Sequence, residues 1–164
     1  MDKDARFWSK IAEKYAAAPV PSEEIYQKKL AVTRKYLRPD MEVLEFGCGT
    51  GTTALAHAAY VRHILAIDIA DRMLEIARQK AKEQSIENVD FKLARIEELD
   101  VAEKSLDVVL GLSILHLLQN KDEVIAQIYK ILKPGGVFVS STTCIADIFK
   151  YHKLLVWFGP LGRL

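Results

Sequence analysis

The sequence predicts one α/β domain built on a doubly wound parallel sheet, with a short helical segment before it. Five β-prone runs alternate with helical runs at short intervals, which is typical of parallel strands joined by helical crossovers. The first β-prone run passes directly into a glycine-rich loop at residues 47–51, as expected where a strand of such a sheet meets a ligand. The 164 residues suffice for one domain with a hydrophobic core.

Two helices, at residues 4–18 and 22–38, are predicted to form a lid (residues 1–38) over the ligand site. In the first helix the large apolar side chains share one face: Phe7, Trp8, Ile11 and Tyr15. Pro19 and Pro21 end it, and Ser22, followed by two glutamates, predicts the N-cap of the second helix. On the second helix we expect the buried face to comprise Ile25, the stem of Lys29, Val32 and Tyr36.

The remaining elements fall in residues 39–164, the predicted ligand-binding domain. Strands are expected at residues 41–46, 63–68, 89–94, 106–113 and 137–142. Helices are expected at residues 52–60, 70–84, 122–132 and 145–158. The fourth strand is almost continuously apolar, as for a strand buried on both faces. Together these elements predict a Rossmann-like sheet of order 3-2-1-4-5, with its ligand at the carboxyl ends of the strands.

Composition excludes several classes of function. The formal net charge of +1 gives no electrostatic reason to expect a nucleic-acid or anionic-membrane partner. No apolar run approaches the roughly 18 residues needed to span a bilayer. Cys48 and Cys144 form no CxxC pair, so a reducing, cytoplasmic setting is expected, and no metal site is predicted.

Two carboxylates limit the kinds of ligand that the glycine loop is expected to bind. Glu45 stands at the loop entrance, where it disfavours a pyrophosphate and suits a cationic group such as an ammonium. Asp68 ends the second strand, where it can accept hydrogen bonds from both hydroxyls of a ribose. Thr52 stands where a dinucleotide fingerprint has its third glycine. A nucleoside with an amino-acid end and no phosphate is S-adenosylmethionine; the alternatives are a loop-capping Glu45 and a solvated Asp68.

Four segments, VLEFGCGTG, AIDIADRMLEIA, SLDVVLGLSILHLL and LKPGGVFV, resemble class I S-adenosylmethionine-dependent methyltransferases of the small-molecule, type 11-like kind. They occur in the family's order and spacing. FWSKIAEKYAAAP also resembles the N-terminal segment with which such enzymes cover the cofactor. The resemblance runs from about Phe7 to Thr142, and it implies methyl transfer from S-adenosylmethionine to a small-molecule acceptor.

The resemblance implies a role for each matching position. The loop under the methionine part would be formed by Gly47, Gly49 and Gly51, with Glu45 at the amino end. Asp68 would bind the ribose hydroxyls, and Ile69 and Met73 would flank the adenine. Leu112 and Ser113 would lie near the sulfonium, and Tyr15 would cover the methionine end. Arg95 replaces the acid that usually accepts the adenine amino group, so adenine recognition is expected from packing and from the backbone of Arg95 and Ile96.

The sequence gives less support for residues that transfer a proton than for residues that bind the cofactor. His116 follows the fourth strand, where it could act as a general base, and Tyr15 is a second candidate. The alternative for His116 is packing on an apolar helix, and core packing is the favoured role of Trp8. Cys48 is explained by its small size, and His57 and His63 are expected in surface or loop positions.

Three rival functions remain open. A non-catalytic cofactor-binding or interaction module is one, since the family sheet closes with an antiparallel hairpin and this sequence ends at Leu164, where that hairpin should begin. Residues 137–142 would then be an exposed apolar edge. We therefore expect either that the sequence is a C-terminally truncated fragment or that a second copy covers this edge in a homodimer. An NAD-type oxidoreductase would not favour Glu45. A nucleic-acid methyltransferase is disfavoured because there is no basic stripe.

Overall fold

The computed structural model describes residues 2–20 and 22–142. Its helices and strands, in chain order, are α1 (Lys3–Ala17), α2 (Glu23–Arg34), β1 (Glu42–Phe46), α3 (Thr52–His57), β2 (His63–Asp68), α4 (Asp71–Glu83), β3 (Val89–Leu93), β4 (Leu106–Leu112), α5 (Lys121–Ile131) and β5 (Leu132–Ser141). Short 3-10 turns cover Ala58–Tyr60, Ile96–Glu98 and Leu115–Leu117. The predicted helix at residues 145–158 lies outside the described residues.

The five strands form one sheet of order β3-β2-β1-β4-β5, and all of its pairings are parallel. This confirms the predicted Rossmann-like topology. The central strand β1 lies between β2 and β4, with Glu45 paired to Ala66 on one side and to Leu110 on the other. The carboxyl ends of β1, β2 and β4 therefore meet at one edge of the sheet, which is where the glycine loop begins.

Alternate residues of β1 enter two hydrophobic layers on opposite faces of the sheet. Val43 packs with the layer that includes Ala54 of α3 and Leu74 of α4. Leu44 packs with the layer that includes Ile128 of α5. As predicted, β4 is buried along almost its whole length, because helices cover both faces.

The N-terminal helices begin close to their predicted positions, but α2 ends at Arg34 rather than at residue 38, and its buried face was predicted wrongly. The Ser22 hydroxyl accepts a hydrogen bond from the Ile25 amide at 3.3 Å, which confirms the N-cap. Ile25, expected to be buried, is 70% exposed, and Val32 and Tyr36 are exposed as well. The buried residues of α2 are Leu30 and Thr33.

A hydrogen bond explains the error. The Thr33 hydroxyl donates to the Lys29 carbonyl at 3.0 Å, so this polar side chain can enter the core at little cost. The spacing of apolar residues does not indicate a buried helix face when that face contains a threonine. Helix α2 also ends at Arg34, because the chain turns through 3-10-type bonds such as Tyr36 amide to Thr33 carbonyl before it reaches β1.

Strand β5 is longer than predicted, since it begins at Leu132, directly after α5, rather than at residue 137. It lies at one end of the sheet, and within residues 2–142 it pairs only with β4. The homodimer over this edge stays a prediction. None of the helices in the described part of the chain combines the length and apolar character that crossing a membrane requires.

Candidate functional site

A cavity of about 620 Å³ opens at the carboxyl ends of β1, β2 and β4, the edge at which the sequence predicts a ligand. Its volume lies within the usual range for small-molecule sites. Its wall contains ten of the predicted site residues: Tyr15, Gly47, Gly49, Asp68, Ile69, Met73, Arg95, Ile96, Leu112 and Ser113. These come from α1, from the last residues of β2 and β4, from α4, and from the segments that follow β1, β2, β3 and β4.

Three predicted residues are absent from this wall. Glu45 is buried beneath the glycine loop, with 3% of its surface exposed. Gly51 faces away from the cavity: a Cβ on it would lie 2.8 Å from the Ala77 Cβ of α4. His116 is exposed in the Leu115–Leu117 turn.

The conformation of the glycine loop favours glycine at two of its positions. Gly47 and Gly49 have φ values of +66° and +55°, a region that side chains disfavour. A Cβ on Gly47 would lie 2.7 Å from Ile114, so this position also lacks space for one. At Gly49 the nearest atom to such a Cβ would be in the Tyr15 ring, at 3.8 Å. The loop thus presents bare backbone to the cavity beneath Tyr15.

Asp68 joins the end of β2 to this loop. Its Oδ2 accepts from the Gly49 amide at 2.8 Å, and its Oδ1 accepts from the Ala70 amide at 2.9 Å. Burial raises the pKa of Asp68, and the bonds from Ala70 and Gly49 oppose that shift. A hydrogen bond from the Ile69 amide also lowers this pKa. A carboxylate offers about four acceptor positions, so these amides leave part of its acceptor capacity for a ligand in the cavity. The bond to Gly49 was not predicted from the sequence.

Glu45 lies just below the loop in an unusual electrostatic setting. Its Oε2 has no hydrogen-bond partner among the described residues. Burial raises its pKa to about 8; the charge of Lys29 on α2 lowers it and that of Asp68 raises it further. The carboxyl group is therefore mostly protonated at neutral pH.

Comparison with known proteins now assigns the family. Residues 37–156 match the family described as a methyltransferase domain. The chain belongs to this methyltransferase family. It is 30% identical over 132 residues to the uncharacterized methyltransferase YcgJ of Bacillus subtilis, an alignment that covers 80% of this chain and 52% of that protein.

A second relative and a solved structure agree with this assignment. The ubiquinone biosynthesis O-methyltransferase of Rickettsia akari is 30% identical over 139 residues, covering 83% of this chain and 54% of the relative. The crystal structure of Bacillus subtilis YcgJ matches with a TM-score of 0.69 and 27% identity, over 77% of this chain and 57% of that one. The chain thus spans about half the length of these relatives.

Helix α1, which precedes the residues matched to the methyltransferase domain, contributes to the cavity wall. The Trp8 ring stands edge-on to Phe7 and Tyr15, with ring centroids 5.3 and 6.2 Å away. Trp8 also packs against the small cluster of Ala12, Ala70 and Met73, so it both packs and lines the cavity. Sequence reasoning missed Asp4 and Phe7 as wall residues, because the docking angle of α1 decides which of its side chains face the site.

Arg95, at the position of the expected adenine-binding acid, forms an ion pair with Asp2 at the start of α1. A second ion pair, Glu13 with Arg72, joins α1 to α4. Arg95 therefore connects the segment after β3 to α1, which precedes the residues that match the methyltransferase domain. No pattern in the sequence signals an ion pair between residues so far apart.

The remaining predictions concern the histidines and a cysteine. His57 is not a surface residue: it is fully buried, its Nδ1 lies 3.0 Å from the Thr53 carbonyl oxygen, and burial lowers its pKa. The contact with the Thr53 carbonyl, within the same helix, allows this polar ring to enter the core, which corrects the prediction. His63 is half-buried between Glu42 and Asp90. Burial raises the pKa of Cys48, which opposes a nucleophilic thiolate.

Proposed function

We propose that this methyltransferase domain binds S-adenosylmethionine in the 620 Å³ cavity and transfers its methyl group to a small-molecule acceptor. The observation that carries the proposal is the pairing of Gly49 and Asp68 in one wall, joined by a 2.8 Å hydrogen bond. Bare backbone and a carboxylate with free acceptor positions lie side by side there. That combination suits a chain passing over the loop and a ribose beside it.

The charges of the wall favour a nucleoside without phosphates. Within the described residues, Arg95 is the only cationic side chain of the cavity wall, and it is paired with Asp2. Three carboxylates line the same wall: Asp4, Asp68 and Glu97. A pyrophosphate would meet more negative than positive charge. The proposal of a cofactor with a sulfonium and an ammonium group is therefore better supported than that of NAD.

Each wall residue then has a proposed task. Asp68 accepts hydrogen bonds from the ribose hydroxyls, and Ile69 and Met73 supply apolar surface for adenine. Backbone groups of Arg95 and Ile96 are proposed to bind the adenine edge. The contacts beside the methyl group and the methionine part are assigned to Leu112, Ser113, Gly47, Gly49 and Tyr15. Glu45 does not line the cavity, so we give it an indirect influence from beneath the loop.

Methyl transfer depends more on alignment of the acceptor with the methyl group than on a general base. The bound cofactor would supply a methyl group on a positively charged sulfur. When the acceptor bonds to the methyl carbon, the carbon–sulfur bond would break and S-adenosylhomocysteine would leave. Positioning and exclusion of water can then provide most of the rate. His116 is exposed outside the cavity wall, so we assign no proton transfer to it. Tyr15 lines the cavity and remains a candidate for contact with the acceptor.

The acceptor is proposed to bind between α1 and the segment after β4. Phe7 and Leu117 provide apolar surface there, and Asp4 and Asn120 provide polar groups. Such a wall suits a small molecule with an apolar body and at least one polar substituent.

The test is formation of S-adenosylhomocysteine when the chain is incubated with S-adenosylmethionine and a panel of such acceptors. Product with at least one acceptor, lost in Asp68→Ala, is the expected result. Cofactor binding without product across the whole panel would favour the non-catalytic binding module instead. Saturation-transfer NMR with NADH and S-adenosylhomocysteine, each added alone, separates the oxidoreductase alternative.

A further inference from the structure

The glycine loop has a second support on the side away from the cavity. Lys80 of α4 donates from Nζ to the Thr50 hydroxyl at 3.0 Å and to the Thr52 hydroxyl at 3.1 Å. Thr50 is 4% exposed, and the two hydroxyl oxygens lie 3.5 Å apart. The ammonium therefore bridges the two residues that flank Gly51.

This placement of Lys80 differs from that of an ordinary surface lysine. Within residues 2–142, no carboxylate oxygen lies within ion-pairing distance of Nζ, so the two threonine hydroxyls are its recorded partners. Partial burial lowers the pKa of Lys80, which shows that the contact costs desolvation. A long lysine stem could instead carry its charge into water. The two charge-assisted hydrogen bonds offset that cost.

The same face of α4 touches the loop at a second point. Ala77 lies three residues before Lys80, on the same side of the helix, and its Cβ would be 2.8 Å from a Cβ on Gly51. On the opposite side of the loop, the Gly49 amide is held by Asp68. The loop is thus held from both sides, and only the Asp68 side faces the cavity.

We propose that Lys80 is a positioning residue for the cofactor loop. By joining Thr50 and Thr52, it maintains the loop shape that presents Gly49 to the cavity, without contact with the ligand. The inference rests on the proposed function for the identity of the ligand. Its effect on the loop itself does not depend on that identity.

The test compares Lys80→Met with Lys82→Met, which removes the same charge from an exposed position of the same helix. Amide hydrogen exchange is followed by NMR in the unliganded protein at Gly49 and Gly51, whose amides are bonded to Asp68 and to the Cys48 carbonyl. Loss of the charged hydrogen bonds should speed exchange at these two amides by about tenfold in Lys80→Met. Lys82→Met should leave them unchanged.

The second readout is calorimetric affinity for S-adenosylhomocysteine. We expect Lys80→Met to weaken binding by about tenfold and Lys82→Met by less than about twofold. Thr52→Val, an isosteric change at an exposed site, should give a smaller loss in the same direction. Combined with Lys80→Met it should add nothing further, because the hydrogen bond it removes is already gone.

The outcomes separate the two proposals. Exchange and affinity in Lys80→Met that match Lys82→Met would overturn the positioning role. A uniform rise in exchange over all sheet amides would also overturn it, because it would mean a general loss of stability. If the wild-type chain binds no S-adenosylhomocysteine while the loop amides still respond to Lys80→Met, the proposed function fails and the positioning role stands.

Discussion

The protonated state of Glu45 makes a direct prediction for folding stability. In the folded chain its pKa is about 8, against an ordinary value of 4.5, because the carboxyl group is buried. Between these two pH values the folded state keeps the proton and the unfolded state loses it. The free energy of unfolding contributed by Glu45 is therefore complete below pH 4.5 and is lost as the pH rises towards 8, at up to about 1.4 kcal/mol per pH unit.

The assay is urea unfolding at half-unit steps from pH 5.5 to 7.5, with wild type, Glu45→Gln and Glu87→Gln. Glutamine mimics the protonated acid, so Glu45→Gln should remove the slope. The difference between wild type and this variant should change by up to roughly 3 kcal/mol over the range. Glu87 is exposed, so Glu87→Gln should keep the wild-type profile. Subtraction also removes the opposite contribution of buried His57, whose pKa is lowered. Parallel profiles for wild type and Glu45→Gln would refute the reasoning.

Three further changes test the loop, the contact of α1 with the cavity and the packing of the sheet. Asp68→Ala should weaken binding of S-adenosylhomocysteine by more than about tenfold, because it removes hydrogen-bond acceptors and leaves the Gly49 amide without its partner. Asp71→Ala, on the exposed first turn of α4, is the calorimetric control. Equal affinities of Asp68→Ala and Asp71→Ala would show that Asp68 is wrongly assigned. Tyr15→Phe should keep this affinity and Tyr15→Ala should lower it several-fold, because the ring rather than the hydroxyl covers Gly49; similar losses in both would contradict this. Gly111→Ala should cost about 1–3 kcal/mol in thermal unfolding, because its Cβ would lie 2.6 Å from the Phe46 ring; an unchanged melting temperature would contradict the packing.

The sheet could be predicted from local patterns because its buried strands are continuous apolar runs separated by helical periods. β2 was predicted with the bounds that the structure shows, and Asp68 followed from its position at the end of that strand. The cavity wall could be predicted where it is built from strand ends, since topology brings these together.

The remaining features depend on contacts between distant parts of the chain. The burial of Thr33 and His57 relies on carbonyl partners within their own helices, which apolar spacing does not reveal. The ion pair of Asp2 with Arg95 and the reach of Lys80 to Thr50 depend on how helices dock. Sequence spacing carries no signal for such contacts.

The central claim is that the cavity binds a nucleoside that carries an amino acid and no phosphate. Isothermal titration of the wild-type chain with S-adenosylhomocysteine, and separately with NADH, tests it most directly. The account predicts saturable binding of S-adenosylhomocysteine at one site per chain and no saturable binding of NADH. NADH binding as tight as that of S-adenosylhomocysteine, or no binding of S-adenosylhomocysteine, would contradict it.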